Sequence, residues 1–161
     1  MTRKLYVLNG PNLNMLGQRE PELYGSATLE DVRADCTRVA GELGFDVFFA
    51  QSNAEYEIVE WLHDAYREQA TVVINPAGLS FRSVPLLDAL RMLKAPIVEI
   101  HITNIHGRDD AHRNSLMSRA ATSVIAGAGV YGYELAIRVA DRHSAERALL
   151  RNRIANVGDE D

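Results

Sequence analysis

Cysteine is almost absent: Cys36 stands alone in 161 residues. An internal disulfide and a multi-cysteine metal site are therefore excluded, and the usage fits a reducing cytoplasm. Basic charge is not in excess either. Lys and Arg number 17 against 22 Asp and Glu, a net charge of −5, and the acidic residues run singly. That balance argues against nucleic acid or an anionic membrane surface as the main partner. No apolar window approaches the length of a membrane span. Met1–Leu8 joins two basic residues to a short apolar run without a small-residue cleavage site, so no targeting leader is expected.

Several chemical signatures are missing as well. No Gly-Lys-Ser/Thr ending and no Gly-x-Gly-x-x-Gly occurs, which sets nucleotide binding aside. No Gly-x-Ser-x-Gly elbow supports a serine hydrolase, and Cys36 falls on an apolar helical stripe where a buried, inert thiol is expected. His101, His106 and His112 cluster with Asp109 and Asp110, but their spacing matches no zinc signature, and no metal is expected.

What is present is an alternation. Short apolar, β-branched runs recur at Leu5–Leu8, Val47–Ala50, Val72–Ile74, Ile97–Ile100 and Val124–Ala126, the pattern of strands buried on both faces. Between them lie helical periods. Leu29, Val32, Cys36, Val39 and Leu43 step by three and four behind a Thr28/Asp31 capping box. Asn53 is expected to cap a second helix through Ile58, Trp61, Leu62 and Ala65, and Ser83 a third through Leu86, Leu87, Leu90 and Leu93, with Pro85 in its first turn. A last helix begins near Tyr131. The stretch Asp141–Arg153 either extends it or forms a frayed tail, and Gly158–Asp161 is expected to be disordered. Alternation of this kind predicts an α/β fold with a five-stranded parallel sheet and helices on both faces. At 47% hydrophobic content, one domain over 1–161 is expected, with a core of about 4–141 and an extension and tail over 142–161.

Two unusually polar loops, Asn9–Ala27 and Ile102–Ala120, fall after the first and fourth strands, where open α/β sheets bind ligands. The first holds Asn12, Arg19 and Tyr24. Tyr24 reads either as a half-buried loop cap or as a base, and Arg19 nearby would favour its phenolate. Asn75, ending the third strand before a proline, is a turn former or a ligand for a carboxylate or hydroxyl. Glu99 and His101, two apart, share one face of an extended strand. They are a simple charge pair, or a carboxylate fixing the tautomer of a general-acid histidine.

Leu8-Asn9-Gly10-Pro11-Asn12-Leu13-Asn14, followed by Arg19-Glu20-Pro21 and Tyr24-Gly25, resembles the opening of type II 3-dehydroquinate dehydratases. Gln51-Ser52-Asn53, Asn75-Pro76-Ala77, Ser83 with Asp88-Ala89-Leu90, Val98-Glu99-Ile100-His101, Asn104-Ile105-His106 and Gly132-Tyr133-Glu134-Leu135 follow in that family's order, so the resemblance covers Leu5 to Ala140. It implies a flavodoxin-like domain, assembled as a dodecamer of trimers, that eliminates water from 3-dehydroquinate without a cofactor, as in the shikimate pathway of aromatic amino-acid biosynthesis or in quinate metabolism. By position, Tyr24 would be the base, held by Arg19 and Arg108, and Asn12 would place a water on the enolate oxygen. His101, oriented by Glu99, would protonate the leaving hydroxyl. Asn75 and the N–H groups of Ile102 and Thr103 would hold the substrate carboxylate, and Asp88 would reach a neighbouring subunit's site.

The chain departs from the family at three places. Phe81 stands where a histidine is usual, His112 where an arginine is usual, and Ala54 and Tyr56 where His and Gly are usual. The first two positions face ring hydroxyls in the family, so either Arg82 or Arg113 compensates or part of the recognition changes. Each lost hydrogen bond to a hydroxyl costs on the order of 1–3 kcal/mol. Three readings result: a dehydroquinase with a rearranged polar wall, a paralogue acting on a related cyclic hydroxy-keto acid, and a non-catalytic ligand-binding homologue.

Overall fold

The structure, a computed structural model, describes residues 2–158. Five strands, β1 (Arg3–Asn9), β2 (Phe45–Gln51), β3 (Thr71–Asn75), β4 (Ile97–His101) and β5 (Ser123–Ala126), pair in parallel in the order β2-β1-β3-β4-β5. All five apolar runs are thus strands, in the flavodoxin-like order that periodicity alone does not specify. The helices are α1 (Pro21–Tyr24), α2 (Leu29–Glu42), α3 (Glu55–Glu68), α4 (Val84–Met92) and α5 (Tyr131–Gly158).

Strand periodicity sorts the core into two layers. Leu5, Val7, Val73, Val98 and Ile100 pack with Cys36 and Val39 of α2 and Ala136 and Ile137 of α5. Tyr6, Leu8, Val72, Ile74 and Ile97 pack with Ile58 and Leu62 of α3 and Leu86 and Leu90 of α4. Fully burying one such aliphatic side chain stabilises by about 1.5–3 kcal/mol. The same parity decides where polar residues at strand ends point. Asn9 and Asn75 follow Val7 and Val73 toward α5, whereas Glu99 and His101 follow Ile97 toward the other layer.

Two of the expected helix starts are built as the sequence predicts. Thr28 Oγ1 accepts the Asp31 N–H at 3.2 Å while Asp31 Oδ2 accepts the Thr28 N–H at 2.9 Å, and Ser83 Oγ accepts the Leu86 N–H at 3.1 Å. Asn53 does not cap α3. Its Oδ1 is taken by the Asn12 N–H at 2.8 Å and by Gln51 Nε2 at 3.2 Å, so the residue before the helix is Ala54, with no side-chain cap. α5 runs unbroken through the charged stretch to Gly158, steadied by a bond from the Arg147 guanidinium to the Lys94 carbonyl. The disorder expected at Gly158–Asp161 is not found at Gly158, which is helical; residues 159–161 lie outside the described residues. Among the described residues no helix is long and apolar enough to cross a membrane.

From β1 the chain winds to β2 on one side and, through β3, to β4 and β5 on the other. A crevice therefore opens at the carboxyl ends of β1 and β3, where Asn9 and Asn75 are register partners. Gly10 lets these ends approach: a Cβ there would lie 2.3 Å from the Pro76 carbonyl oxygen. The two polar loops arch over this edge. They are more structured than expected, with 3-10 turns at Leu13–Met15, Ile105–Gly107, Asp110–His112 and Met117–Arg119, besides α1.

Candidate active site

A cavity of about 210 Å³ fills the crevice. Asn12, Arg19 and Tyr24 line it from the first loop, Asn75 and Phe81 from β3 and the segment after it, and His101, Ile102, Thr103, Arg108 and His112 from β4 and its loop. Leu13, Met15, Leu16 and Ile105 add an apolar wall. The volume lies below the roughly 300 Å³ at which drug-sized sites begin, and so suits one small ring. Two arginines face it, and among the described residues no carboxylate does. In a chain of net charge −5, this concentrates positive potential on the cavity and favours an anionic ligand.

Tyr24 ends α1, a single helical turn between two residues of positive φ, Glu20 (φ 44°) and Gly25 (φ 80°). Its ring is half-buried against the α2/α5 layer. Arg19 beside it makes an ion pair with Glu20 at 3.5 Å, and both partners are half exposed. Asn12, left-handed at φ 68°, is held by its backbone on Asn53, which leaves its side chain at the cavity.

On the opposite wall, His101 Nε2 lies 2.5 Å from Glu99 Oε1, and Ser118 Oγ donates to Glu99 Oε2 at 2.6 Å. Glu99 is fully buried. Burial alone would raise its carboxyl, but hydrogen bonds from His101, Ser115 and Ser118 outweigh that and hold it below the usual carboxylate range. An ionised Glu99 on Nε2 leaves Nδ1 as the ring nitrogen free to work at the cavity.

Phe81 and His112, the two departures separated along the chain, meet here edge to face with ring centroids 5.4 Å apart. Asp109 holds His112 Nδ1 from both carboxylate oxygens at 2.9 Å. The hydrogen bond from His112, helped by the Ala111 N–H, keeps the Asp109 carboxyl below its ordinary range.

Not every expected residue converges. Arg113 turns outward to Asp110 at 2.9 Å and does not line the cavity, so it does not shift register to replace the arginine missing at His112. Arg82 also lies outside the lining, and Tyr56 is 67% exposed. Asp88 stands exposed on α4, away from the cavity of its own chain. His106 is exposed too, and among the described residues no three His, Cys, Asp or Glu side chains converge as metal ligands. Cys36 is buried in the core, where desolvation pushes its thiol up to about 12.

The sequence reading assigned no role to Asn9, Ser118 or Tyr133. Tyr133 OH donates to Asn9 Oδ1 at 2.6 Å and accepts from Asn75 Nδ2 at 2.9 Å. The available signals were a tyrosine on the buried stripe of α5, whose hydroxyl needs a partner, and an asparagine closing a buried strand.

Residues 3–141 match the family described as Dehydroquinase class II. The chain is 52% identical to 3-dehydroquinate dehydratase 2 of Agrobacterium fabrum over 132 residues, covering 82% of this chain and 90% of that protein. It is 51% identical to the 3-dehydroquinate dehydratase of Kineococcus radiotolerans over 135 residues, covering 84% and 92%. The crystal structure of type II dehydroquinase from Propionibacterium acnes superposes with a TM-score of 0.85 at 42% identity, covering 88% of this chain and 98% of that one. Sequence, fold and the match across the site's motifs agree, and the chain belongs to the class II dehydroquinase family.

Proposed function

We propose that this chain catalyses anti elimination of water from 3-dehydroquinate, giving 3-dehydroshikimate through an enolate, with no metal or organic cofactor. The observation that carries the reading is the placement of Tyr24 and His101 on one small cavity that is lined by Arg19 and Arg108 and by no carboxylate among the described residues. The names and identities of the relatives support it.

In this scheme the Tyr24 phenolate, held by Arg19 and Arg108, takes the proton beside the ketone. The electron pair of that C–H bond forms an enolate, whose oxygen is met by a water on Asn12. Collapse of the enolate breaks the bond to the tertiary hydroxyl, which leaves as water with a proton from His101. Glu99, hydrogen-bonded to Nε2, orients the His101 ring for this transfer. Solvent then takes the proton from Tyr24 and reprotonates His101. Asn75 and the N–H groups of Ile102 and Thr103 hold the substrate carboxylate. The α1 segment, with a positive-φ residue at each end, carries Tyr24 as the lid.

The chain works in the cytoplasm as a homo-oligomer, a dodecamer built from trimers, in which Asp88 of one copy completes a neighbour's site. The exposure of Asp88 outside its own cavity supports that arrangement. The reaction serves aromatic amino-acid biosynthesis or quinate metabolism.

A second reading has its own support. Phe81 stands where a hydrogen-bonding histidine is usual and packs its apolar ring on His112, which suits a cyclic hydroxy-keto acid with fewer or different ring hydroxyls. Purified protein mixed with 3-dehydroquinate separates the two. Growth of enone absorbance supports the first reading, whereas no turnover with saturable binding of another cyclic acid supports the second.

A further inference from the structure

Tyr133 takes no part in the proton transfers above and does not line the cavity, yet its hydroxyl sits in a one-way run of hydrogen bonds that ends there. At the far end, Asn9 Nδ2 donates to the Ala50 carbonyl at 3.0 Å, which commits Asn9 Oδ1 to accepting. Tyr133 OH donates to it at 2.6 Å. A hydroxyl has one proton, so the Tyr133 oxygen can then only accept, and Asn75 Nδ2 donates to it at 2.9 Å. Asn75 Oδ1 in turn accepts the Ala77 N–H at 3.2 Å. Each link dictates the polarity of the next. One Asn75 amide hydrogen is used inward, the carbonyl is used along the loop, and the second hydrogen is left on a residue that lines the cavity.

We infer that Tyr133 is a positioning residue that fixes the Asn75 amide so that it presents an N–H, and not its carbonyl oxygen, to the carboxylate of a bound ring. The inference rests on the reading of Asn75 as part of the carboxylate site. A flipped amide would set a lone pair against the anion. Without the tyrosine hydroxyl, only the longer bond from Ala77 opposes that flip, and buried Asn9 Oδ1 is left without a donor. Burial holds the Tyr133 phenol protonated well past its ordinary range, so the direction of the run does not reverse at working pH.

Tyr133→Phe removes the hydroxyl and keeps the ring. Its binding of quinate and of quinate's primary amide is compared with that of the wild type by calorimetry, and the melting temperature of each protein is recorded. The wild type is expected to prefer the carboxylate. The variant is expected to weaken quinate about tenfold while the amide changes less than about twofold, with KM rising and kcat nearly kept. A merely structural role would lower the melting temperature and weaken both ligands alike. An unchanged carboxylate preference in the variant overturns the role of Tyr133 and leaves the carboxylate site standing. A wild type with no such preference overturns the carboxylate site and the inference with it. If the variant does not fold, ¹⁵N-labelled wild type is titrated with quinate. Movement of one Asn75 amide hydrogen while its twin stays fixed supports the inference, and any other response of the pair overturns it.

Discussion

Glu99 Oε1 and His101 Nε2 lie 2.5 Å apart on one face of β4, with Glu99 fully buried and His101 4% exposed at the cavity. This contact commits Nε2 of the strand-end histidine to a buried carboxylate. Glu99→Gln keeps the shape and removes the buried negative charge that the ring nitrogen faces. We expect kcat to fall about tenfold or more with KM little changed, and steady-state kinetics checks it. An unchanged kcat would reduce the pair to a structural contact.

The same carboxylate gives stability a pH dependence. Its native pKa is depressed, so its contribution is complete above the unfolded value of about 4.3 and is lost as pH falls through the lower native value. The melting temperature of the wild type should therefore drop as pH falls below about 4 more steeply than that of Glu99→Gln. Parallel curves from differential scanning calorimetry would contradict the assignment.

Gly10 joins strand pairing to the site. Its α-carbon faces the Pro76 carbonyl so closely that a methyl would sit 2.3 Å from that oxygen, backbone against backbone. Gly10→Ala is expected to cost about 1–3 kcal/mol, the range for overpacking, and to weaken carboxylate binding because Asn75 moves with Pro76. Denaturant unfolding together with ligand binding tests this, and a neutral variant would show that the two strand ends separate freely.

Phe81 and His112 form one surface, so they are tested together. Phe81→His with His112→Arg returns to the wall the histidine and the arginine that are usual in the family. Turnover of 3-dehydroquinate should rise about tenfold or more if two contacts return. Unchanged or lower kcat/KM would show that these positions do not face the ring hydroxyls.

Much of this was legible in the sequence because local chemistry and tertiary demand agree. The β-branched runs are strands because both sheet faces are covered, and Thr28 with Asp31 starts a helix through atoms three residues apart. Asn53 misled because its amide answers Asn12, which is distant in sequence but adjacent at the sheet edge. Arg113 was a candidate on spacing, yet the 3-10 turn at Asp110–His112 points it at Asp110 instead. The meeting of Phe81 with His112 and the run through Asn9, Tyr133 and Asn75 each need elements far apart in the chain to be placed against one another. No period in the sequence encodes such a meeting.

The central claim is a division of labour, with Tyr24 removing the proton and His101 supplying one to the leaving hydroxyl. The most direct test follows by NMR the exchange of substrate hydrogen beside the ketone for deuterium from D₂O, in Tyr24→Phe and His101→Ala. We predict that His101→Ala still exchanges that hydrogen while dehydration falls about a hundredfold or more, and that Tyr24→Phe does neither. Exchange at the wild-type rate in Tyr24→Phe would contradict the account.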